Sequence, residues 1–130
     1  MFDANHEPKS LISFAQWAPL ASGLLACRYD EYGKTRRTAS ESKNPRFKYV
    51  ETARDREIIS RVTIVAMRRG WSMTDVSLAW LSRRVTSPVL GFTSVARIDE
   101  ALAARGKILT DEEEAFLEEP YTAKRIMGHL

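Results

Sequence analysis

The sequence predicts an α/β chain, mostly helical, with two short parallel strands in a sheet that the chain leaves incomplete. Three observations predict it. Two apolar runs, SLISFAQW at 10–17 and VLGFTS at 89–94, are too short for helices and run into proline or glycine turns. Helical periodicities fill the rest, in the order strand, long loop, helix, helix, strand, helix, helix, which is the pattern of β/α units about a parallel sheet. Each strand of such a sheet needs neighbours on both sides and helices over its faces, and two strands cannot supply them to each other.

The first run, residues 10–17, reads as a buried strand that stops where Pro19 removes a backbone donor. Residues 28–52, RYDEYGKTRRTASESKNPRFKYVET, carry Gly33, Pro45 and many charges without a period, and read as a long loop. Ile58, Ile59, Val62, Val65 and Ala66 then recur at helical spacing, with Thr52 as cap and Gly70 as stop, which predicts a helix over 53–69. Ser72 with Asp75 has capping-box spacing, and Val76, Ala79, Trp80 and Leu81 form the buried stripe of a second helix. The second strand spans 87–91. A helix over 95–104 follows, capped by Thr93 or Ser94, with Ile98, Ala101 and Leu102 on one face. Thr110 with Glu113 opens a last helix over 110–119, which Pro120 ends.

Composition narrows the function classes. The 130 residues are 44% hydrophobic and 28% charged, the balance of one soluble domain. No window approaches the roughly 18 apolar residues of a membrane span, and MFDANHEPKS lacks the features of a secretory signal, so a cytoplasmic protein without a membrane partner is expected. Cys27 is the single cysteine, which rules out an internal disulfide and a thiolate metal cluster, and no metal site is expected. It reads as a small hydrophobe with no activating base near it in sequence. The net charge of +3 is spread among interleaved acidic residues, and the loop KTRRTASESKNPRFK lacks an aromatic platform, so no nucleic-acid partner is expected.

The segments WAPLASGLLACRYDEYG, RGWSMTDVSLAWLSRRVTSPVLGFTSVARIDEAL and LTDEEEAFLEEPY, in this order, resemble the C-terminal part of an aldo-keto reductase, especially fungal and bacterial reductases of secondary metabolism. The resemblance covers the chain from about Ser10 onward. It implies the C-terminal portion of a (β/α)8 TIM barrel, with 10–17 as the seventh strand, 87–91 as the eighth, 95–104 as the eighth helix and 110–119 as the extra helix after it. Residues 1–130 are then one partial reductase domain with the loop 28–52 inside it. A whole barrel takes about 250 residues.

The resemblance also implies an NADP(H) site. Trp17 stands where the family stacks an aromatic residue on the nicotinamide. Pro19, Leu20, Gly23 and Leu25 match the loop that wraps the pyrophosphate with backbone N–H groups, and Arg28 matches a basic position beside it. Ala18 replaces the family's serine, which removes one hydroxyl donor. Gly91, Thr93 and Ser94 match the turn that meets the adenosine phosphate at a helix N-terminus, a place that favours anions. Arg97 and Glu100 match the positions that clasp the 2′-phosphate and the adenine, and a planar guanidinium suits a phosphate. Ala101 stands where asparagine is common.

In the family a tyrosine acid with lysine, aspartate and histidine comes from the first half of the barrel, and this chain has no counterpart of that set. Tyr29, Tyr32, Tyr49 and Tyr121 fall outside the matching motifs, and His6 and His129 lie near the ends. No catalytic residue is therefore assigned. Two functions are expected from this point: an NADP(H)-dependent oxidoreductase acting on a carbonyl of an aromatic or polyketide-type metabolite when the other half of the barrel is supplied, or a noncatalytic remnant that binds a nucleotide or docks onto another reductase chain.

Overall fold

The structure, a computed structural model, describes residues 15–31 and 52–123. Its framework is a pair of helices joined by a tight glycine turn. Helix α1, Ala53–Arg69, begins at a reciprocal cap: Asp55 N–H donates to Thr52 Oγ1 (3.3 Å) and Thr52 N–H to Asp55 Oδ2 (2.6 Å). It ends at Gly70, whose φ of +62° lets its N–H turn back onto the last carbonyls, a conformation that opposes any side chain. Helix α2, Met73–Ser82, starts two residues later on the expected Ser72–Asp75 box, with both bonds at 3.0 Å.

The stripe of α1 falls where its spacing puts it, with Ile59, Val62, Val65 and Ala66 buried. Helix α2 departs from the single stripe expected of it. Residues Met73 to Ala79 and Leu81 are all buried, because α2 lies between two apolar clusters. Val76 and Ala79 join Ile59, Val62, Val65 and Leu109 in the larger one, while Leu78 and Leu81 meet Ala101 and Ala104 in the smaller. Trp80, placed on the buried stripe by its spacing, is only half-buried, as is Trp71: Arg69 and Lys107 lie over the Trp71 ring, Arg84 lies over the Trp80 ring, and the Trp80 indole donates to Glu118.

Strand β1, Ala15–Trp17, pairs in parallel with β2, Ser87–Val89. Both strands were expected to be buried, and this is corrected: Ala15, Gln16, Ser87 and Val89 are exposed, because the two strands are each other's only sheet partner among the described residues. Residues 10–14 of the expected first strand lie outside the described residues, and the expected second strand ends at Val89, before Gly91. Of the long loop, Tyr29–Glu31 form a 3-10 turn, and 32–51 lie outside the described residues.

Helix α3, Val95–Ala103, packs on α2 through Ala101, with Ala104 just beyond it. Ile98 and Leu102, which their spacing puts on one face with Ala101, are exposed, while Ala101 and Ala104 take the contact with α2. Helix α4, Asp111–Glu118, opens on the Thr110–Glu113 box and buries Leu117, with Leu109 buried just before it. Arginines of α1 and just after α2 hold its acidic surface: Arg69 on Glu113 (2.6 Å), Arg61 on Glu119 (2.5 Å), Arg83 on Glu114 (2.8 Å), and Arg84 on Glu114 and Glu118.

The segment between α3 and α4 is tied down by Lys107, whose ammonium lies 2.5 Å from Asp75 Oδ2. Burial would raise the Asp75 carboxyl, but the hydrogen bond from Lys107 and those from Ser72 outweigh it and hold the carboxyl below its ordinary value. A carboxyl lowered in the folded state contributes stability above its unfolded value, about 3.9, which is lost as the pH falls through the folded one. Lys107→Met leaves a buried carboxylate without its cation. It is expected to cost about 2 kcal/mol near neutral pH and to move the onset of acid unfolding to higher pH, followed by circular dichroism across a pH series.

Candidate functional site: two turns at one end of the sheet

Parallel pairing decides where the candidate site lies. With Trp17 opposite Val89, the chain leaves both strands at the same carboxyl end, so the turn after β1 and the turn after β2 emerge side by side. That end is where parallel α/β sheets place their ligands.

The first turn is built from left-handed backbone. Ala18, Ala21 and Ser22 have φ of +50°, +48° and +57°, and Gly23 has +99°. Three non-glycine residues in this region carry a conformational cost that persists only where the surroundings enforce it. Here Leu24 is buried in the larger cluster, Leu20 packs against the smaller one, and the Ser77 hydroxyl of α2 donates to the Leu25 carbonyl (2.9 Å). The run Ala-Ser-Gly was the one hint of this geometry in the sequence. Its left-handed alanines were not foreseen.

The turn also uses several of its own donors. Gly23 N–H and Leu25 N–H both point at the Leu20 carbonyl (2.9 and 3.3 Å), and Pro19 has no N–H. Among the described residues the N–H groups of Leu20 and Ser22 have no backbone acceptor. Four of the residues matched to the pyrophosphate loop, Pro19, Leu20, Gly23 and Leu25, are thus held together here, but Leu20 and the unforeseen Ser22 carry the available backbone donors. Trp17 ends β1 at the head of this turn. Arg28, at its far side, is exposed and pairs with Asp30 (3.3 Å).

Gly91, Thr93, Ser94, Arg97 and Glu100 are all exposed, in the turn after β2 and on α3. Ser94 occupies the N-cap of α3 in extended conformation but makes no side-chain cap bond, unlike Thr52, Ser72 and Thr110 at the other three helices. The first-turn N–H groups of α3 therefore have no acceptor from the cap. Arg97 stands in that first turn and forms no ion pair among the described residues.

Cys27 is tied to the first turn. Its thiol donates to the Gly23 carbonyl (3.3 Å). Burial first, then the charges of Glu31 and Asp30, push the thiol up, while the positive charge of Arg97 pulls the other way. Arg97 is thus within electrostatic reach of the first turn. Among the described residues no group of histidine, cysteine and carboxylate side chains could hold a metal ion, and no helix is long and apolar enough to cross a membrane. Tyr29 lies under the Arg56 guanidinium and Tyr121 is exposed; Tyr32, Tyr49, His6 and His129 lie outside the described residues.

Two turns thus leave the same end of a parallel strand pair, one of them opening a helix without a side-chain cap bond. Residues 9–121 match the model of the aldo/keto reductase family, and the chain belongs to that family. Over 118 residues it is 48% identical to an aldo-keto reductase of Metarhizium robertsii and 46% identical to one of Fusarium vanettenii, covering 91% of this chain and 32% of each relative. Over 116 residues it is 36% identical to the versiconal hemiacetal acetate reductase of Aspergillus parasiticus, covering 88% of this chain and 34% of that protein. The chain spans about a third of the length of these relatives. The family fold is a (β/α)8 barrel, and two parallel strands with four helices are part of one.

The raised Cys27 thiol leads to a direct expectation. At pH 8 its reaction with a disulfide reagent should be slower than that of free cysteine, read from thiolate release, since the thiolate is the reacting form.

Proposed function

We propose that this chain is the nucleotide-binding part of an NADP(H)-dependent aldo-keto reductase that reduces a carbonyl of an aromatic or polyketide-type metabolite in fungal secondary metabolism. The observation that carries the reading is the parallel register, which puts the start of α3, without a side-chain cap bond, at the same end of the sheet as the turn after β1; among the described residues Arg97 forms no ion pair and the N–H groups of Leu20 and Ser22 have no backbone acceptor. The donor set suits a phosphorylated dinucleotide. Ser94, Thr93 and the first-turn N–H groups of α3 would receive the 2′-phosphate with Arg97, whose planar fork matches phosphate oxygens. Leu20 and Ser22 would offer N–H groups to the pyrophosphate, with Pro19, Gly23 and Leu25 shaping the turn around them and Arg28 adding positive charge at its edge. Glu100, one turn along α3 from Arg97, is placed for the adenine, and Gly91 permits the turn that leads into the helix.

The cofactor, when bound, supplies the hydride for the carbonyl carbon. This chain's own contribution is to bind and orient it, with the nicotinamide end toward Trp17 at the head of the first turn. The acid that protonates the carbonyl oxygen has no counterpart in this chain and would come from the strands that precede β1 in the family barrel. The names of the relatives support the substrate class, since one of them is a reductase of versiconal hemiacetal acetate.

The test is thermal unfolding of the 130-residue chain with NADPH and with NADH. NADPH is expected to raise the midpoint, as any ligand of the folded state does. Arg97→Ala is expected to weaken NADPH binding about 30-fold and NADH binding less than about threefold, the difference expected for one guanidinium–phosphate contact. Equal losses for both nucleotides would remove Arg97 from the 2′-phosphate, and no shift with either would remove the cofactor assignment. The same chain alone should reduce no carbonyl substrate with NADPH.

A further inference from the structure

The backbone from Arg28 to Glu31, just past the first turn, is held from both sides. Before it, the Ser77 hydroxyl of α2 donates to the Leu25 carbonyl and the Cys27 thiol to the Gly23 carbonyl. After it, the Arg56 guanidinium lies over the Tyr29 ring, 5.0 Å from its centre, which ties the Tyr29–Glu31 turn to the start of α1. The Glu31 N–H closes that turn on the Arg28 carbonyl (3.0 Å). On this fixed backbone two opposite charges stand in the solvent: Arg28 Nε lies 3.3 Å from Asp30 Oδ1, and the two side chains are 64% and 66% exposed. The cation at the edge of the turn is therefore already answered by a carboxylate of the same short segment. The field of that segment also reaches into the turn, because after burial the charges of Glu31 and Asp30 help push the Cys27 thiol up.

We infer that Asp30 is a built-in competitor of the dinucleotide: its carboxylate and the pyrophosphate contend for the same Arg28 guanidinium, so that Asp30 weakens nucleotide binding and eases nucleotide release. This rests on the cofactor reading above and adds to it a residue of opposite sign. The contest is between two oxyanions for one cation. A phosphate offers oxygens to the planar fork of the guanidinium, whereas Asp30 meets Arg28 at Nε, so the phosphate is the stronger partner and Asp30 subtracts from its advantage without cancelling it. Because Tyr29 is held by Arg56, the exchange is one of side-chain rotamers on a backbone that stays in place. The pyrophosphate is common to NADPH and NADH, so Asp30 acts on both alike, unlike Arg97, whose proposed partner is the 2′-phosphate.

The experiment titrates the 130-residue chain with NADPH and with NADH, followed by nucleotide fluorescence. An exposed ion pair is a weak competitor, so Asp30→Asn is expected to tighten both nucleotides about threefold. The gain should shrink as NaCl rises from about 0.05 to about 0.5 M, since exposed charges are screened. Arg28→Ala should weaken both nucleotides, and Asp30→Asn should gain less in that background than in the wild type, the coupling that a double-mutant cycle reads. Glu112→Gln removes the same charge from the first turn of α4, where Glu113 meets Arg69 at the far end of α1, about 20 Å from Arg56 along the helix. It should leave both affinities unchanged. The unfolding midpoint without nucleotide should be the same for Asp30→Asn and the wild type, because Asp30 is exposed. Unchanged or weaker binding by Asp30→Asn overturns the inference, as does an equal gain without Arg28 or an equal gain from Glu112→Gln. Wild-type binding with no gain in Asp30→Asn overturns it alone, whereas a chain that binds neither nucleotide, with or without Asp30, overturns it together with the cofactor assignment.

Discussion

Parallel pairing of three residues with three others, Ala15–Trp17 with Ser87–Val89, sets the geometry on which everything at the candidate site depends. Had the same strands paired antiparallel, the turns after them would lie at opposite ends of the sheet. The pairing is short, and its direction is maintained from outside it. Between the strands α1 and α2 pack against each other, and α2 presents Ser77 to the turn after β1 while Leu78 and Leu81 receive α3. The helical pair thus positions both turns, and the sheet contributes their direction.

The helices are held by two kinds of force in different places. Around α1 and α2 the interior is apolar, with Val65 and Val76 fully buried. Around α4 the contacts are largely between arginines and carboxylates at the rim, with Leu109 and Leu117 as the apolar anchors. The Arg69 pair is mutual: its hydrogen bond lowers the Glu113 carboxyl, and Glu113 raises the guanidinium. Rim pairs of this kind depend on ionic strength, whereas the Asp75–Lys107 contact involves a carboxylate with little access to water. Among the described residues the side of α3 away from α2 has neither kind of support, and Ile98 and Leu102 are exposed there.

Local chemistry was legible where it is self-contained. Thr52, Ser72 and Thr110 announce helix starts because a cap hydroxyl and a carboxylate three residues on satisfy each other's N–H groups within one turn of chain. Gly70 announces a stop because only its backbone reaches φ of +62° at little cost. The exposure of Ile98 and Leu102 was not legible, because helical spacing shows that residues share a face but not whether anything lies against it. Ser22 was missed as a donor for the opposite reason, since the left-handed backbone that frees its N–H arises from the anchoring of Leu20 and Leu24 in two different clusters.

The sequence by itself determined the helix boundaries, the order of elements and the family, because each of these is written in near-neighbour spacing or in motifs kept in order. Tertiary structure decided which of those residues meet. The nearness of Arg97 to the turn holding Cys27, the engagement of the Gly23 and Leu25 donors inside that turn, and the exposure of both strands follow from contacts between residues far apart in the chain. Those contacts depend on which faces find a partner, and periodicity along one segment carries no information about its partner.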